Sequence, residues 1–269
     1  MKSNIKLQGY QFILIAIFIL SSIFMSFRVD FNSGKGFNRE SDINNIYFKN
    51  ENLKISKISG KIAISGNSGW ANAETMGICT GSGISNDPYI LEDLEINAGG
   101  SENCISIANS NVHFRIENCT TYNSGTGSYY SGIKLYSVSN GVIFNNTVSS
   151  NDHGIFLEYS SNNIVINNTA NGNYWDGIFL LYSDFNHVSK NSIDGHVGSG
   201  LGSYSSHSNT ISENIVKNTG WGISFEFSHH NIISGNTASN NDNFGIHLKG
   251  GYNNTVLGNV VNFNDIGIK

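Results

Sequence analysis

The sequence predicts an all-β solenoid, a right-handed parallel β-helix of about eight coils, and three regularities carry that prediction. The same opening recurs every 22 to 23 residues, at Gly132-Ile133, Gly154-Ile155, Gly177-Ile178, Gly200-Leu201, Gly222-Ile223, Gly245-Ile246 and Gly267-Ile268. Counting each opening Gly as position 0, the apolar residues fall in columns at positions 1, 3, 11 and 16. Position 14 is Asn in every complete unit: Asn146, Asn168, Asn191, Asn214, Asn236 and Asn259.

Positions 1 and 3 alternate as a half-buried strand does, and Val and Ile dominate positions 11 and 16, which favours extended backbone. No unit holds a helix-length amphipathic run, and Gly, Asn, Ser and Asp interrupt the chain every few residues. Each unit therefore reads as three short strands joined by tight turns. Equivalent strands of successive units then lie parallel, about 4.8 Å apart, with right-handed crossovers. An Asn at an inward turn satisfies buried backbone groups with its carboxamide and tolerates left-handed φ, so the Asn column reads as a structural ladder.

Residues 1–27 carry Lys2 and Lys6 ahead of an apolar stretch over 12–27, and read as a signal peptide or an N-terminal membrane anchor. Residues 28–52 are a polar tether and 53–87 an N-terminal cap, within which 66–88 is irregular. The β-helix occupies 88–269, its first coil strand at Tyr89–Ile96, followed by an imperfect unit over 104–131 with Asn118 in the ladder place. The location implied is extracytoplasmic, secreted or anchored at the cell surface. The last unit stops at Lys269, which predicts either a protein capping the open C-terminal coil or a longer parent sequence. Of three cysteines, Cys79 is expected in one disulfide with Cys104 or Cys119. A net charge of −5 with 13% charged residues gives no basis for nucleic-acid binding.

Units of the form G-I-x-L-x-x-S-x-x-N-x-V-x-x-N-T resemble the parallel β-helix repeat of NosD-like periplasmic copper-binding proteins. The same repeat family includes pectate-lyase-like and mannuronan-epimerase-like carbohydrate enzymes. The segment Cys79-Thr80-Gly81-Ser82-Gly83, followed by Asp87-Pro88-Tyr89-Ile90-Leu91, is similar to the cap that opens archaeal surface proteins of this type. The resemblance implies the fold; it implies copper handling or carbohydrate chemistry only by analogy.

The chemistry expected from the residues is mainly that of a binding surface. Positions 2, 4 and 5 face outward and collect Tyr136, Phe156, Glu158, Tyr159, Phe179, Tyr182, Tyr204, Glu226 and Phe227, an aromatic stripe suited to sugar rings or to a protein partner. Catalysis needs an arranged acid and base. Glu158 and Glu226 stand three coils apart, about 14 Å, which is too far for one pair. Asp152 and His153 are the candidates for an epimerase-like or lyase-like site, with Lys134 or Lys249 to neutralise charge, because Arg115 is the last arginine. His207 and His229 share position 7 in adjacent units, with His230 beside them, as candidates for Cu or Zn. Asp242 and Asp265 share position 20 as candidates for Ca²⁺. The reading leans away from an enzyme and toward a surface binding or structural module, for a polysaccharide or surface glycan or for a protein partner.

Overall fold

The computed structural model describes residues 57–127 and 129–269. The expected leader or anchor at 1–27, the tether at 28–52 and residues 53–56 of the expected cap lie outside the described residues.

Three parallel sheets form the walls of the solenoid, and each coil contributes one short strand to each. Wall 1 stacks Ile62–Ser65, Ile105–Ser110, Ser131–Val138, His153–Glu158, Ile178–Leu181, Ser199–Tyr204, Trp221–Glu226, Phe244–Lys249 and Ile266–Ile268. Wall 2 contains strands such as Ile164–Ile166 and Thr210–Ser212, and wall 3 strands such as Thr169–Asn171 and Ile215–Lys217. The register keeps like positions vertical: Ile155 pairs with Ile178, Leu201 with Ile223, Val165 with Val188, and Ala170 with Ile193. These columns point inward and are fully buried, each aliphatic side chain contributing about 1.5–3 kcal/mol. The opening glycines are forced by space: a Cβ on Gly154 would run into the carbonyl oxygen of Gly177 in the next coil.

The position-14 ladder is present. Asn168 Oδ1 accepts the Asn146 backbone N–H at 3.0 Å and its Nδ2 at 2.9 Å, while Asn168 Nδ2 donates to Ile143 O at 2.9 Å and to Asn191 Oδ1 at 3.0 Å. It is one of several. At position 9, Asn186 N donates to Asn209 Oδ1 at 2.7 Å and Asn209 N to Asn231 Oδ1 at 2.8 Å. At position 6, Ser160 N donates to Ser183 Oγ at 3.0 Å and Ser183 N to Ser206 Oγ at 2.9 Å. At position 19, Asn151 N donates to Asn173 Oδ1 at 3.0 Å and Asn241 N to Asn264 Oδ1 at 2.9 Å. The residue before each ladder position is commonly left-handed, as at Asn167, Asn162, Tyr182 and Asn240. Most bends of the coil thus pair a left-handed residue with an inward polar one, Ser137 followed by Val138 being an exception.

The N-terminal region departs from expectation in four ways. Stacking begins at Lys57–Ser59 and Ile62–Ser65, which pair with Leu94–Asn97 and Ile105–Ser110, so the first coil lies within the expected cap. The stretch expected to be irregular contains a helix, α1, over Gly66–Thr75. Its weak intrinsic propensity is overridden by packing: Trp70 is fully buried, 5.4 Å from the Tyr89 ring and 4.8 Å from the Phe114 ring. Tyr89–Ile96 is not one strand, because Asp93 at φ 55° turns the chain between Tyr89–Glu92 in wall 2 and Leu94–Asn97 in wall 3. Asn118 is exposed in the left-handed place, and Cys119 takes the ladder position, its N–H donating to Asn146 Oδ1 at 2.9 Å.

The expected disulfide is absent: Cys79, Cys104 and Cys119 are free and buried. Cys104 Sγ contacts Tyr122 O at 3.2 Å and Cys119 Sγ contacts Glu117 O at 3.3 Å. Burial raises all three thiols to about 11. The last coil exposes Leu257, Val260, Phe263, Ile266 and Ile268.

Two outcomes follow. None of the three thiols should react with Ellman's reagent at pH 8 in the folded protein, and all three should react in denaturant. The position-19 ladder carries His196, whose Nδ1 lies 3.1 Å from Asn173 O and Nε2 3.0 Å from Ala170 O. A neutral imidazole donates to only one carbonyl. Burial nonetheless holds its pKa below the usual value, against the carbonyls of Asn173 and Ala170 and the charges of Asp176 and Asp194. The unfolded chain therefore takes up the proton more readily, and stability falls as pH drops below about 6.5. In thermal melts at pH 7.5 and 5.5, His196→Asn should lose less stability on acidification than the parent; an equal loss would clear His196.

Candidate functional site

Wall 1 turns a grid of side chains outward. On each strand the residue before the opening Gly and those at positions 2 and 4 face out, and position 5 then bends left-handed into the corner toward wall 2. Tyr136, Tyr159, Tyr182, Tyr204 and Phe227 climb this edge, one ring per coil. Successive centroids are 5.9, 5.1, 6.1 and 5.5 Å apart, with Tyr159 and Tyr182 stacked and the other pairs edge-on. All five are 36–50% exposed, so the stripe presents itself to solvent as the sequence suggests.

Tyr159, Tyr182 and Phe227 hold this position at φ 50°, a conformation that disfavours bulky L residues by about 1–2 kcal/mol. At the equivalent bend of another coil, Gly250 meets the same geometry without strain. The structure therefore keeps aromatic rings where a glycine or asparagine would be more comfortable.

Phe156 is not part of the exposed stripe. It is fully buried under Tyr129, whose ring centroid lies 5.1 Å away, and is flanked by His153 at 5.2 Å, Phe179 at 5.5 Å and the Lys134 ammonium at 5.2 Å. Phe179, partly buried, lies against Gly202, where any Cβ would strike its ring. Glu158 and Glu226 are paired rather than free: Lys134 Nζ is 3.1 Å from Glu158 Oε2, and Lys249 Nζ is 3.7 Å from Glu226 Oε2.

Asp152 and His153 do not act as a couple. Asp152 Oδ2 accepts the Gly127 N–H at 3.0 Å, which ties down the loop carrying Tyr129. His153 faces the next coil, its Nδ1 3.1 Å from Asp176 Oδ2 but out of hydrogen-bond alignment. Asp176 Oδ1 accepts the Ser199 N–H at 2.7 Å. Asp176 occupies the place before the opening Gly, one coil on from His153, so vertical register alone identifies it as the neighbour.

His207 and His229 do meet, as parallel rings 4.7 Å apart at 2°. Their lone pairs do not converge. His207 Nδ1 accepts the His229 N–H at 3.0 Å, and His229 Nδ1 accepts the Tyr252 N–H at 3.1 Å. Burial and the imidazoles of His207 and His230 hold His229 below its usual pKa. His230 stands apart, edge-on to Tyr252 at 5.3 Å. Asp242 and Asp265 are exposed turn residues, and among the described residues no group of three His, Cys, Asp or Glu side chains is placed to hold a metal ion.

A second cluster escaped the sequence reading. His247 is packed between Trp221 at 4.9 Å and Phe244 at 4.7 Å, with Nδ1 3.3 Å from Ser224 Oγ. Burial lowers its pKa, against the pull of Glu226.

A family model described as periplasmic copper-binding protein (NosD) matches residues 31–269. No curated protein matches the sequence. Among solved structures, the A-module of the mannuronan C-5 epimerase AlgE4 of Azotobacter vinelandii is similar at 15% identity and TM-score 0.51, over 67% of this chain and 61% of that one. The AlgE6 A-module of the same organism matches at 16% identity and TM-score 0.49, over 67% and 62%. The enzymatically active domain of tailspike protein 2 from bacteriophage CBA120 matches at 12% and 0.48, over 76% and 39%. This chain thus spans less than two thirds of each, and the AlgE4 likeness is one of fold.

If the left-handed aromatic bends are strained, Tyr182→Gly should be more stable than Tyr182→Ala by about 1 kcal/mol in chemical denaturation, because only glycine relieves the backbone. Equal stabilities would remove the strain argument.

Proposed function

We propose, from the premise that this chain belongs to the NosD family of periplasmic copper-binding proteins, that it serves outside the cytoplasm as a β-helical surface that binds a glycan chain along wall 1. One observation carries the reading: five half-exposed rings run unbroken across successive coils at the spacing of the strands, three of them held in a backbone conformation that favours glycine. Aromatic side chains repeated every 5.1–6.1 Å along the edge offer apolar contact to a linear chain of sugar rings, each of which has an apolar face and a polar edge.

The other chemistries considered fit these residues less well. A uronate lyase or epimerase must neutralise a carboxylate beside its base, and the cations near the stripe, Lys134 and Lys249, are already paired with Glu158 and Glu226. Copper is implied by the family, but the donors do not fit it. The thiols are buried and held protonated at neutral pH, Met76 is the one thioether among the described residues and is exposed, and His207 and His229 stack with each Nδ1 occupied by a backbone N–H.

The test is binding to an array of structurally defined glycans, followed by titration of the best ligand. Tyr159→Ala and Tyr182→Ala should each weaken it by about tenfold, roughly 1.4 kcal/mol, while leaving the fold intact by circular dichroism. Undiminished binding by both variants, or no glycan bound by the parent, would refute the reading.

A further inference from the structure

The stacked rings of the aromatic stripe border a groove at Tyr159, with Tyr136 of the preceding coil edge-on to that ring. Tyr159 belongs to both: its ring stacks on Tyr182 on one side and lines a groove of about 730 Å³ on the other. The two coils before Tyr159 carry Asn109 and Ser137 in the same left-handed column, at φ 53° and 51°, so that small polar side chains stand where rings stand further along. The first turn of α1, at Asn67 and Ser68, lines the far end of the resulting notch. That wall is firmly held. Asn67 Oδ1 accepts Ser110 Oγ–H and Asn111 N–H, each at 3.1 Å, and its Nδ2 donates to Asn111 Oδ1 at 2.8 Å.

Apart from the buried Val138, the groove is lined by Ser and Asn residues and Tyr159, with no charged residue. Along the stripe itself the charges cancel in pairs, Lys134 with Glu158 and Lys249 with Glu226. An anionic polymer placing a carboxylate on every ring would be desolvated here without a compensating cation, whereas a neutral sugar is matched by hydroxyls and amides that both donate and accept.

Resting on the glycan reading above, we infer that the groove between α1 and Tyr159 is an end-binding subsite that holds the terminal sugar of a neutral glycan, with the following sugars laid along the rings from Tyr159 toward Phe227. With α1 standing at the end of this column, at Asn67 and Ser68, the proposed subsite binds a chain end in preference to a chain interior.

Isothermal titration of the full chain with neutral oligosaccharides, with uronate oligosaccharides of equal length and with a cyclic neutral glucan tests this. Neutral linear chains should bind at least tenfold more tightly than either comparison ligand. Ser137→Tyr, which restores at that bend the residue found at Tyr159 and Tyr182, and Ser139→Tyr, which copies Tyr252 at the equivalent place, should each fill the groove and lower affinity for linear chains at least tenfold. Uronates bound as tightly as neutral chains, cyclic glucan bound as tightly as linear, or no loss from either filling variant while Tyr182→Ala still abolishes binding, would overturn the subsite and leave the stripe intact. Loss of neither kind in any variant would overturn both.

Discussion

The constraint on which everything else rests is that each coil must bend several times while keeping its backbone away from water. Every bend leaves an inward N–H and C=O that have no strand partner, and an orphaned buried group of that kind costs about 1–3 kcal/mol. The chain answers with polar residues that bond from one coil to the next. Asn is favoured because one carboxamide accepts from the coil before, donates to the coil after and reaches a wall carbonyl. Ser performs a reduced version at position 6, where Ser183 Oγ also donates to Leu181 O at 2.8 Å. Cys119, His196 and Thr219 occupy ladder places without a carboxamide, and at Thr219 the hydroxyl donates to Asn241 Oδ1 at 2.7 Å in its stead.

Because the ladders lock vertical register, side chains at one position become a column with fixed spacing. Function on such a scaffold is a matter of what fills an outward column. Aromatic rings in one column make a stripe, small residues in the same column make a notch, and a histidine meets a carboxylate only if the next coil supplies one at that height. His153 and Asp176 meet this way, as do His207 and His229. Lys134 and Glu158 do so with opposite charge, which removes the field that either would impose alone.

Burial decides which residues remain available. Phe156 and Phe179 share a column with Lys134 and His247, yet Tyr129 covers Phe156 while Tyr159, Tyr182 and Phe227, one bend further on, stay half-exposed. The cover comes from a loop in the imperfect coil, pinned by Asp152. Backbone comfort and exposure of the rings pull in opposite directions at the left-handed bends, where the half-exposed aromatics are residues the backbone disfavours.

The repeat alone determined the three-strand coil, the inward apolar columns and the Asn ladder at position 14, because a period preserved over six units leaves one way to bury its hydrophobic positions together. The Ser of position 6 and the Asn of position 9 were equally visible in the repeat, and read as turn residues only because their inward direction depends on how the coil bends. The aromatic stripe was legible for the same reason as the strands. The tertiary structure alone decided the rest. α1 forms because Trp70 finds Tyr89 and Phe114, a contact invisible to local propensity. The three cysteines are buried as free thiols, an outcome their spacing in the sequence does not fix. Tyr129 roofs Phe156, and the groove beside Tyr159 opens, because irregular segments pack against the regular ones, and non-repeating contacts leave no period in the sequence from which to infer them.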